Sequence, residues 1–387
     1  PAILLFFFVV FLLSTCLLRF CCKKKPSTTK LWACNHVFVL YLISSHLAPH
    51  GINPLEHEEV PMTVQNASVA AVPRQTTESQ HRAFSQIVAL PQTFFIKPDD
   101  SVSLYRAQMD RKDVILRVLK DSASAADRQQ FVGFASFLSG LGPHPFIPAL
   151  LGVVTVQPPL MIAIEELQHR DLLNFLWKCR QPGCDMTEKR IYIMARQVAS
   201  ALDYLHSQQC VHGNVAARSV LVGQDLTVKL WGLGSAYRRA HSSGAVGSLG
   251  STDAMELRKW QAPEVLARTA ISKSSDVWSF GILLCEMVTL GDPPFPQILA
   301  TELLQYLQRG KFLRKPAACS NTLFTLIKSC CQWSPQQRAS LPKLIRKLES
   351  AERTEGGSAV LRVPEPLEVG QYLQEAGYEE AYNYAVL

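Results

Sequence analysis

Residues 211–222 read VHGNVAARSVLV, residues 259–264 read KWQAPE, and residues 275–296 read SDVWSFGILLCEMVTLGDPPFP. These segments decide the fold, and a helical region leads into them. Upstream, residues 187–207 read TEKRIYIMARQVASALDYLHS, in which apolar residues recur at the three- and four-residue spacing of one helix face. The centre of the chain is therefore predicted to be mainly helical.

The chain before this helical region is rich in strand patterns. Clusters of β-branched, aromatic and other apolar residues predict strands at residues 87–90, 93–96, 102–107, 114–119 and 160–164. One helix is predicted among them, from residue 125 to residue 141. The pattern favours an α+β fold, with a small β-rich lobe before a larger α-helical lobe.

Together the quoted segments resemble the catalytic loop, the end of the activation segment and the central C-lobe helix of the protein-kinase-like superfamily. The sequences AAR and KWQAPE point to its tyrosine-kinase branch. The resemblance implies a bilobal protein-kinase-like fold that uses ATP and magnesium. It predicts an N-lobe at residues 84–165, a C-lobe at residues 166–352 and a tyrosine-bearing tail at residues 353–387.

The positions that would carry phosphoryl transfer are degenerate. The resemblance places Asn214 where an aspartate would accept the proton of the substrate hydroxyl, and an amide cannot take that proton at neutral pH. It places Ser219 and Gly232 at the two magnesium-ligand positions, which need hard oxygen ligands. Asp225, the one aspartate of residues 204–252, is predicted in a turn that points away from the phosphates. We therefore do not expect a bound magnesium ion.

The nucleotide site of the N-lobe also departs from the family. No glycine occurs at residues 52–132, so the glycine-rich phosphate loop is absent, and Asp99 and Asp100 stand in its place. Arg117 replaces the family's ATP-binding lysine and Phe134 replaces its glutamate partner. We expect Arg117 to lie over the Phe134 ring as a cation–π contact. The positions expected around the adenine are Ile115, Ile164, Glu165, Leu167 and Leu221. ATP binding is expected to be weak.

Residues with structural roles are retained. The resemblance implies packing or bracing roles for His212, Leu233, Leu138, Leu150, Asp276, Glu264 and Arg338. We expect Asp276 to brace the loop around His212, and Glu264 to pair with Arg338. Because the packing residues are retained while the catalytic and metal-ligand positions are degenerate, the sequence indicates a pseudokinase. Such a protein would act as a scaffold or allosteric partner of active kinases. The alternative is a weakly active protein-tyrosine kinase that transfers phosphate from ATP.

The N-terminal segment predicts a membrane anchor. Residues 2–18 contain no charged side chain, and Arg19 and three lysines at residues 23–25 follow. Because about 20 apolar residues span a bilayer, residues 1–22 are predicted to form a transmembrane helix. The positive-inside rule then places the juxtamembrane linker, residues 23–83, and the kinase-like domain in the cytoplasm. A cleaved signal peptide is the alternative, but its cations would precede the apolar run.

The amino-acid composition argues against several other classes of protein. The 387 residues are 48% hydrophobic and 18% charged, which is typical of a folded protein. The net charge of +7 is scattered, so a nucleic-acid partner is not expected. The 11 cysteines lack paired metal-ligand spacing and predict reduced thiols rather than disulfides.

The tail offers the predicted contacts with partners. Tyr378 precedes two glutamates, and Tyr384 begins a tyrosine motif that ends in an apolar residue. These tyrosines are candidate phosphorylation sites that would bind signalling kinases or adaptor proteins. Because Gly213 replaces the arginine that would bind a phosphate, phosphorylation of Tyr237 is not expected to order the activation segment.

Overall fold

The computed structural model describes residues 63–64, 82–89, 101–241, 258–357, 359–363 and 368–376. Within these ranges the first lobe is a six-stranded antiparallel sheet, with strand order β1-β2-β3-β4-β6-β5. Its strands are β1 (Thr63–Val64), β2 (Arg82–Ala89), β3 (Val102–Met109), β4 (Lys112–Leu119), β5 (Leu150–Val154) and β6 (Met161–Glu165). The predicted β-rich lobe is confirmed.

The hairpin of β3 and β4 forms the centre of this sheet. The two strands pair in continuous register, which leaves Asp110 and Arg111 for the turn. Both have positive φ, 51° and 61°, as in the type I′ turn that matches the twist of paired strands. From Val114 onward, every second side chain of β4 is buried, so Ile115 and Arg117 share the opposite face.

Helix α1 (Ala125–Leu141) packs against the sheet, and its bounds confirm the prediction. Ser124 begins it with a capping box. The Ser124 hydroxyl accepts from the N–H of Asp127 at 3.2 Å, and the Asp127 carboxylate accepts from the N–H of Ser124 at 2.9 Å. The buried stripe of α1 consists of Phe131, Phe134, Ala135, Leu138 and Leu141.

The second lobe is helical. Its α-helices within the described residues are α2 (Leu172–Lys178), α3 (Glu188–Ser207), α4 (Leu233–His241), α5 (Pro263–Leu266), α6 (Lys273–Val288), α7 (Leu303–Gln308), α8 (Asn321–Cys330), α9 (Leu341–Thr354) and α10 (Val369–Ala376). A two-stranded sheet of β7 (Val220–Val222) and β8 (Val228–Leu230) lies within it. Helix α6 is the centre of the lobe, since every residue from Ser275 to Val288 is buried.

Some helices and strands differ from their predicted bounds, and one strand was not predicted. Helix α3 begins one residue after the predicted start, because the Thr187 hydroxyl caps it by accepting from the Arg190 N–H at 3.3 Å. Strand β2 starts before the predicted residue 87, and β5 was not predicted at all. Strand β5 is a short apolar run without alternation, which periodicity cannot distinguish from other buried segments. The strand predicted at residues 93–96 lies outside the described residues.

The prediction that all cysteines are reduced is wrong for one pair. Cys179 and Cys184 form a disulfide. Helix α2 ends at Lys178, and the chain then turns through Gly183, which brings the two Cα atoms to 4.5 Å. The free cysteines of the described ranges are all buried and comprise Cys210, Cys285, Cys319, Cys330 and Cys331.

The predicted transmembrane helix at residues 1–22 lies outside the described residues. Within the part of the chain that the structure describes, no helix combines the length and apolar character needed to cross a bilayer.

Candidate functional site

One buried carboxylate accepts hydrogen bonds from the backbone of the loop at residues 211–219. Asp276, on α6, accepts from the backbone N–H of His212 at 2.8 Å and from that of Gly213 at 2.6 Å. Its Oδ2 also lies 2.9 Å from Nε2 of His206. Asp276 is fully buried, and hydrogen bonds to a charged group are strong there. The predicted bracing role of Asp276 is confirmed.

His212 links this loop to the segment after β8. Its Nδ1 accepts from the Asn214 backbone N–H at 3.2 Å, and its Nε2 lies 2.7 Å from the Trp231 carbonyl oxygen. A carbonyl can only accept, so the network assigns the proton to Nε2. The half-buried Asn214 follows, and its carboxamide occupies the position predicted for a proton-accepting carboxylate. The loop is therefore ordered, but the side chain at this position cannot act as a general base.

The first predicted metal-ligand position is used by the protein itself. The Ser219 hydroxyl donates to the Ala216 carbonyl at 2.8 Å and accepts from the Ala216 N–H at 3.0 Å. Ser219 is also buried, with 5% of its surface exposed. Both hydrogen bonds hold the Ser219 hydroxyl within the turn that begins at Ala216.

The second predicted metal-ligand position, Gly232, offers no side chain. It has a φ of 92°, in the left-handed region that favours glycine. A Cβ built at Gly232 would lie 3.4 Å from Cβ of Ser219 and 3.6 Å from Cε1 of His212. Both distances are ordinary van der Waals contacts, so the positive φ, and not a lack of space, would strain an aspartate at residue 232. The residues present do not fit a magnesium ion held in the family's manner.

Asp225 serves a turn, as predicted. Its carboxylate accepts from the Thr227 N–H at 3.0 Å and from the Thr227 hydroxyl at 2.6 Å, between β7 and β8. These hydrogen bonds, the hydroxyl's first, lower the pKa of the Asp225 carboxyl. The exposed side chain stabilises the turn between β7 and β8.

Arg117 is on β4, at the position predicted to correspond to the family's ATP-binding lysine. Its guanidinium carbon is 5.9 Å from the centroid of the Phe134 ring, which confirms the predicted cation–π contact. Phe134 belongs to the buried stripe of α1. The contact joins β4 to α1 at the two positions predicted for the family's lysine and glutamate.

The predicted adenine-site residues lie on the facing strands and the segment after them. Ile115 of β4 pairs directly with Ile164 of β6, and Ile164 is buried. The carboxylate of Glu165 accepts from Lys229 Nζ at 2.7 and 2.9 Å and from the Ala149 N–H at 2.9 Å. Glu165 is therefore occupied by protein partners.

The remaining adenine-site positions frame the same region. Leu167 is buried, and its carbonyl accepts from the Arg170 N–H at 3.3 Å. Leu221 is half-buried on β7 and bridges to Asp171 at the start of α2. The neighbouring Glu166 forms an ion pair with Arg106 of β3, which joins the sheet to the segment between the lobes.

The structural residues behave as predicted. Arg338 donates to both carboxylate oxygens of Glu264, at 2.6 and 2.7 Å. The Arg338 guanidinium carbon also lies 5.2 Å from the Trp278 ring centroid. Leu233 is fully buried in the same core cluster as Leu138, and Leu150 packs against that cluster.

Two tyrosines have structural positions that the sequence did not reveal. Tyr237 of α4 packs on α1, with ring centroids 5.7 Å from Phe134 and 5.6 Å from Phe137. A Cβ built at Gly133 would lie 1.8 Å from the Tyr237 hydroxyl, so this glycine makes room for the ring. The other is Tyr372, buried on α10. Gly133, a glycine within the apolar helix α1, was the sequence signal that could have indicated the contact of Tyr237 with this helix.

Several predicted positions lie outside the described residues. These are the phosphate-loop substitutes Asp99 and Asp100 and the tail tyrosines Tyr378 and Tyr384.

Comparisons with known proteins agree with the bilobal fold. The model of the family described as protein tyrosine and serine/threonine kinase matches residues 101–348. The chain is 40% identical over 301 residues to Tyrosine-protein kinase STYK1 of Mus musculus, covering 74% of this chain and 70% of the mouse protein. It is 40% identical over 300 residues to Tyrosine-protein kinase STYK1 of Homo sapiens, covering 73% of this chain and 70% of the human protein. The chain therefore belongs to the protein tyrosine and serine/threonine kinase family.

Proposed function

We propose that this chain is a tyrosine-kinase-like pseudokinase that signals as a scaffold or allosteric partner of active kinases. The observation that carries the proposal is Gly232, which combines a φ of 92° with the absence of any side chain at a magnesium-ligand position. Magnesium neutralises the charge that develops on the transferred phosphate, so loss of its ligand removes a central part of the chemistry.

Two neighbouring observations support the same proposal. Asn214 cannot act as a base, and loss of general-base help alone lowers a rate by about 10²–10⁴-fold. The hydroxyl of Ser219 is engaged by the Ala216 backbone. By contrast, the bracing of the loop by Asp276 and the pair of Glu264 with Arg338 are complete. A fold maintained without its catalytic groups suits a role in protein contact.

Nucleotide binding provides the experiment. A ligand present at one hundred times its Kd stabilises a protein by about 2.7 kcal/mol. For a domain the size of the kinase-like domain, this stabilisation raises the Tm by roughly 5–10 °C. We expect less than about 1 °C from 1 mM ATP with magnesium, and the same result when EDTA replaces magnesium. A magnesium-dependent rise of several degrees would contradict the proposal.

The alternative function is a weakly active protein-tyrosine kinase. It is favoured by the cation that Arg117 retains at the position of the family's lysine, and by the printed name of the two relatives, Tyrosine-protein kinase STYK1. Asn214→Asp separates the two functions. If the chain already holds ATP productively, restoring the carboxylate should raise phosphate transfer by about 10²-fold or more, whereas a pseudokinase stays inactive.

We further propose that residues 1–22 anchor the protein in a membrane, with the kinase-like domain in the cytoplasm. The charge-free run followed by cations supports this placement. Alkaline extraction of membranes should leave the full chain in the pellet and release a variant that lacks residues 1–22.

We also propose that phosphorylated Tyr378 and Tyr384 recruit active kinases or adaptors. Replacing both with phenylalanine should abolish that capture.

A further inference from the structure

The C-terminal helix α10 inserts one aromatic side chain into the helical lobe. Tyr372 is 3% exposed and Ala376, one turn later, is 1% exposed. The Tyr372 ring stands edge-on to Trp177 of α2, with ring centroids 4.9 Å apart. The Trp177 indole is itself fixed, because its N–H donates to the Gly291 carbonyl at 2.9 Å. Helix α10 therefore docks through one face, and Gln374 on its other side is exposed.

The surroundings of Tyr372 suit a neutral phenol. Burial first, and then the charge of Glu286, raise the pKa of Tyr372 well above its usual value. Asp171 acts on it in the same direction and Arg218 in the opposite direction. Burial also raises the pKa of the Glu286 carboxyl to about 7 and that of Asp171 above its usual value. Negative charge is thus disfavoured throughout this pocket.

We propose that Tyr372 is a phosphorylation site, open to an active protein-tyrosine kinase only when α10 has left its pocket, and that the phosphate then keeps α10 undocked. In the step, the Tyr372 oxygen forms a bond to the γ-phosphorus of ATP and the bond to the β-phosphate oxygen breaks. ADP leaves, and the phenol proton passes to the base of the acting kinase. The proposal does not depend on whether this chain transfers phosphate itself.

Geometry and charge both support the coupling. A kinase must reach the Tyr372 hydroxyl, which the docked helix keeps 97% covered together with its ring. A phosphotyrosine carries a charge of about −1.5 to −2 and is considerably larger than a phenol. Returning it to the pocket would bring that charge toward two carboxyl groups, Glu286 and Asp171, with Arg218 as the opposing cation. Release would also uncover the side of Trp177 that contacts Tyr372.

The test compares two variants of α10 in the full chain. Ala376→Arg places a cation on the docked face, and Gln374→Arg places the same cation on the exposed face as the matched control. Each protein is incubated with a purified, broadly specific tyrosine kinase and ATP, beside a blank without added kinase. The initial rate of phosphorylation at Tyr372 is measured by mass spectrometry of the tail peptide.

We expect Ala376→Arg to raise this rate by at least about tenfold, because a docked helix leaves about 0.1–10% of molecules competent. Gln374→Arg should change the rate by less than about twofold. Equal rates for the two variants, or no phosphate on Tyr372 in Ala376→Arg, would overturn the proposal.

A second measurement examines the wild-type chain after phosphorylation. Amide hydrogen exchange of residues 369–376 and of α2 should become faster once Tyr372 carries phosphate. Unchanged protection of both segments in the phosphorylated protein would show that the modified helix still docks, which also overturns the proposal.

Discussion

Replacing Gly133 with alanine tests how Tyr237 is seated on helix α1. Alanine is the better helix former, and within a helix it stabilises by roughly 0.5–1 kcal/mol relative to glycine. Here the new Cβ would lie 1.8 Å from the Tyr237 hydroxyl and 2.9 Å from Cζ of its ring. The ring must therefore leave its contacts with Phe134 and Phe137, each worth about 0.5–1.5 kcal/mol.

The two effects oppose each other, and the lost contacts should prevail. The aromatic contacts total roughly 1–3 kcal/mol, so we expect Gly133→Ala to destabilise the protein by about 1 kcal/mol and to lower its Tm by roughly 2–4 °C. Gly140→Ala is the matched control, because it lies in the same helix with no atom within 4 Å of a new Cβ. The control should be neutral or stabilising by up to about 1 kcal/mol.

A double-mutant cycle completes the test. In a Tyr237→Ala background the obstacle is gone, so Gly133→Ala should change sign and stabilise by roughly 0.5–1 kcal/mol. Urea unfolding at equilibrium, followed by fluorescence, gives the four free energies of unfolding. If Gly133→Ala stabilises the wild-type chain as much as Gly140→Ala does, Tyr237 is not packed on α1 and the reasoning is wrong.

Two further predictions concern buried charge. Glu264→Ala should destabilise the protein by about 3–5 kcal/mol, since it leaves the guanidinium of Arg338, only 1% exposed, without its carboxylate. The exposed Glu349 gives the control, and Glu349→Ala should change the free energy of unfolding by less than about 0.5 kcal/mol. Glu286 has a pKa raised by burial to about 7, so the folded state holds its proton more tightly than the unfolded state. This contribution is complete below about pH 4.5 and is lost as the pH rises through about 7, a fall of roughly 3 kcal/mol. Glu286→Gln should remove that part of the slope in urea unfolding measured from pH 5 to pH 8, and an unchanged slope would refute the assignment.

The sequence predicted contacts that follow from residue type at a recognised position. Arg117 over Phe134 and the pair of Glu264 with Arg338 join chemically complementary side chains, and the Asp276 carboxylate accepts from the backbone N–H of His212. The degenerate positions could be located in the same way, because the surrounding segments keep their order.

Contacts between segments that carry no such pattern could not be predicted. Nothing in residues 369–376 indicates that Tyr372 would pack against Trp177, since that contact depends on the path of the chain after α9. Tyr237 contacts α1 from helix α4, which begins directly after Gly232, and the sequence does not specify the direction of that helix. The bond between Cys179 and Cys184 likewise depends on the turn after α2, which composition does not specify.

Phosphate transfer by the purified full chain is the most direct measurement of whether the fold has lost its chemistry. Wild type and Arg117→Ala, prepared side by side, are incubated with labelled ATP, magnesium and a tyrosine-containing peptide. We predict that both incorporate label at the rate of the blank, since neither a base at Asn214 nor a ligand at Gly232 is present. Incorporation by the wild type that is lost in Arg117→Ala would contradict the account, because it would show that this site holds ATP productively.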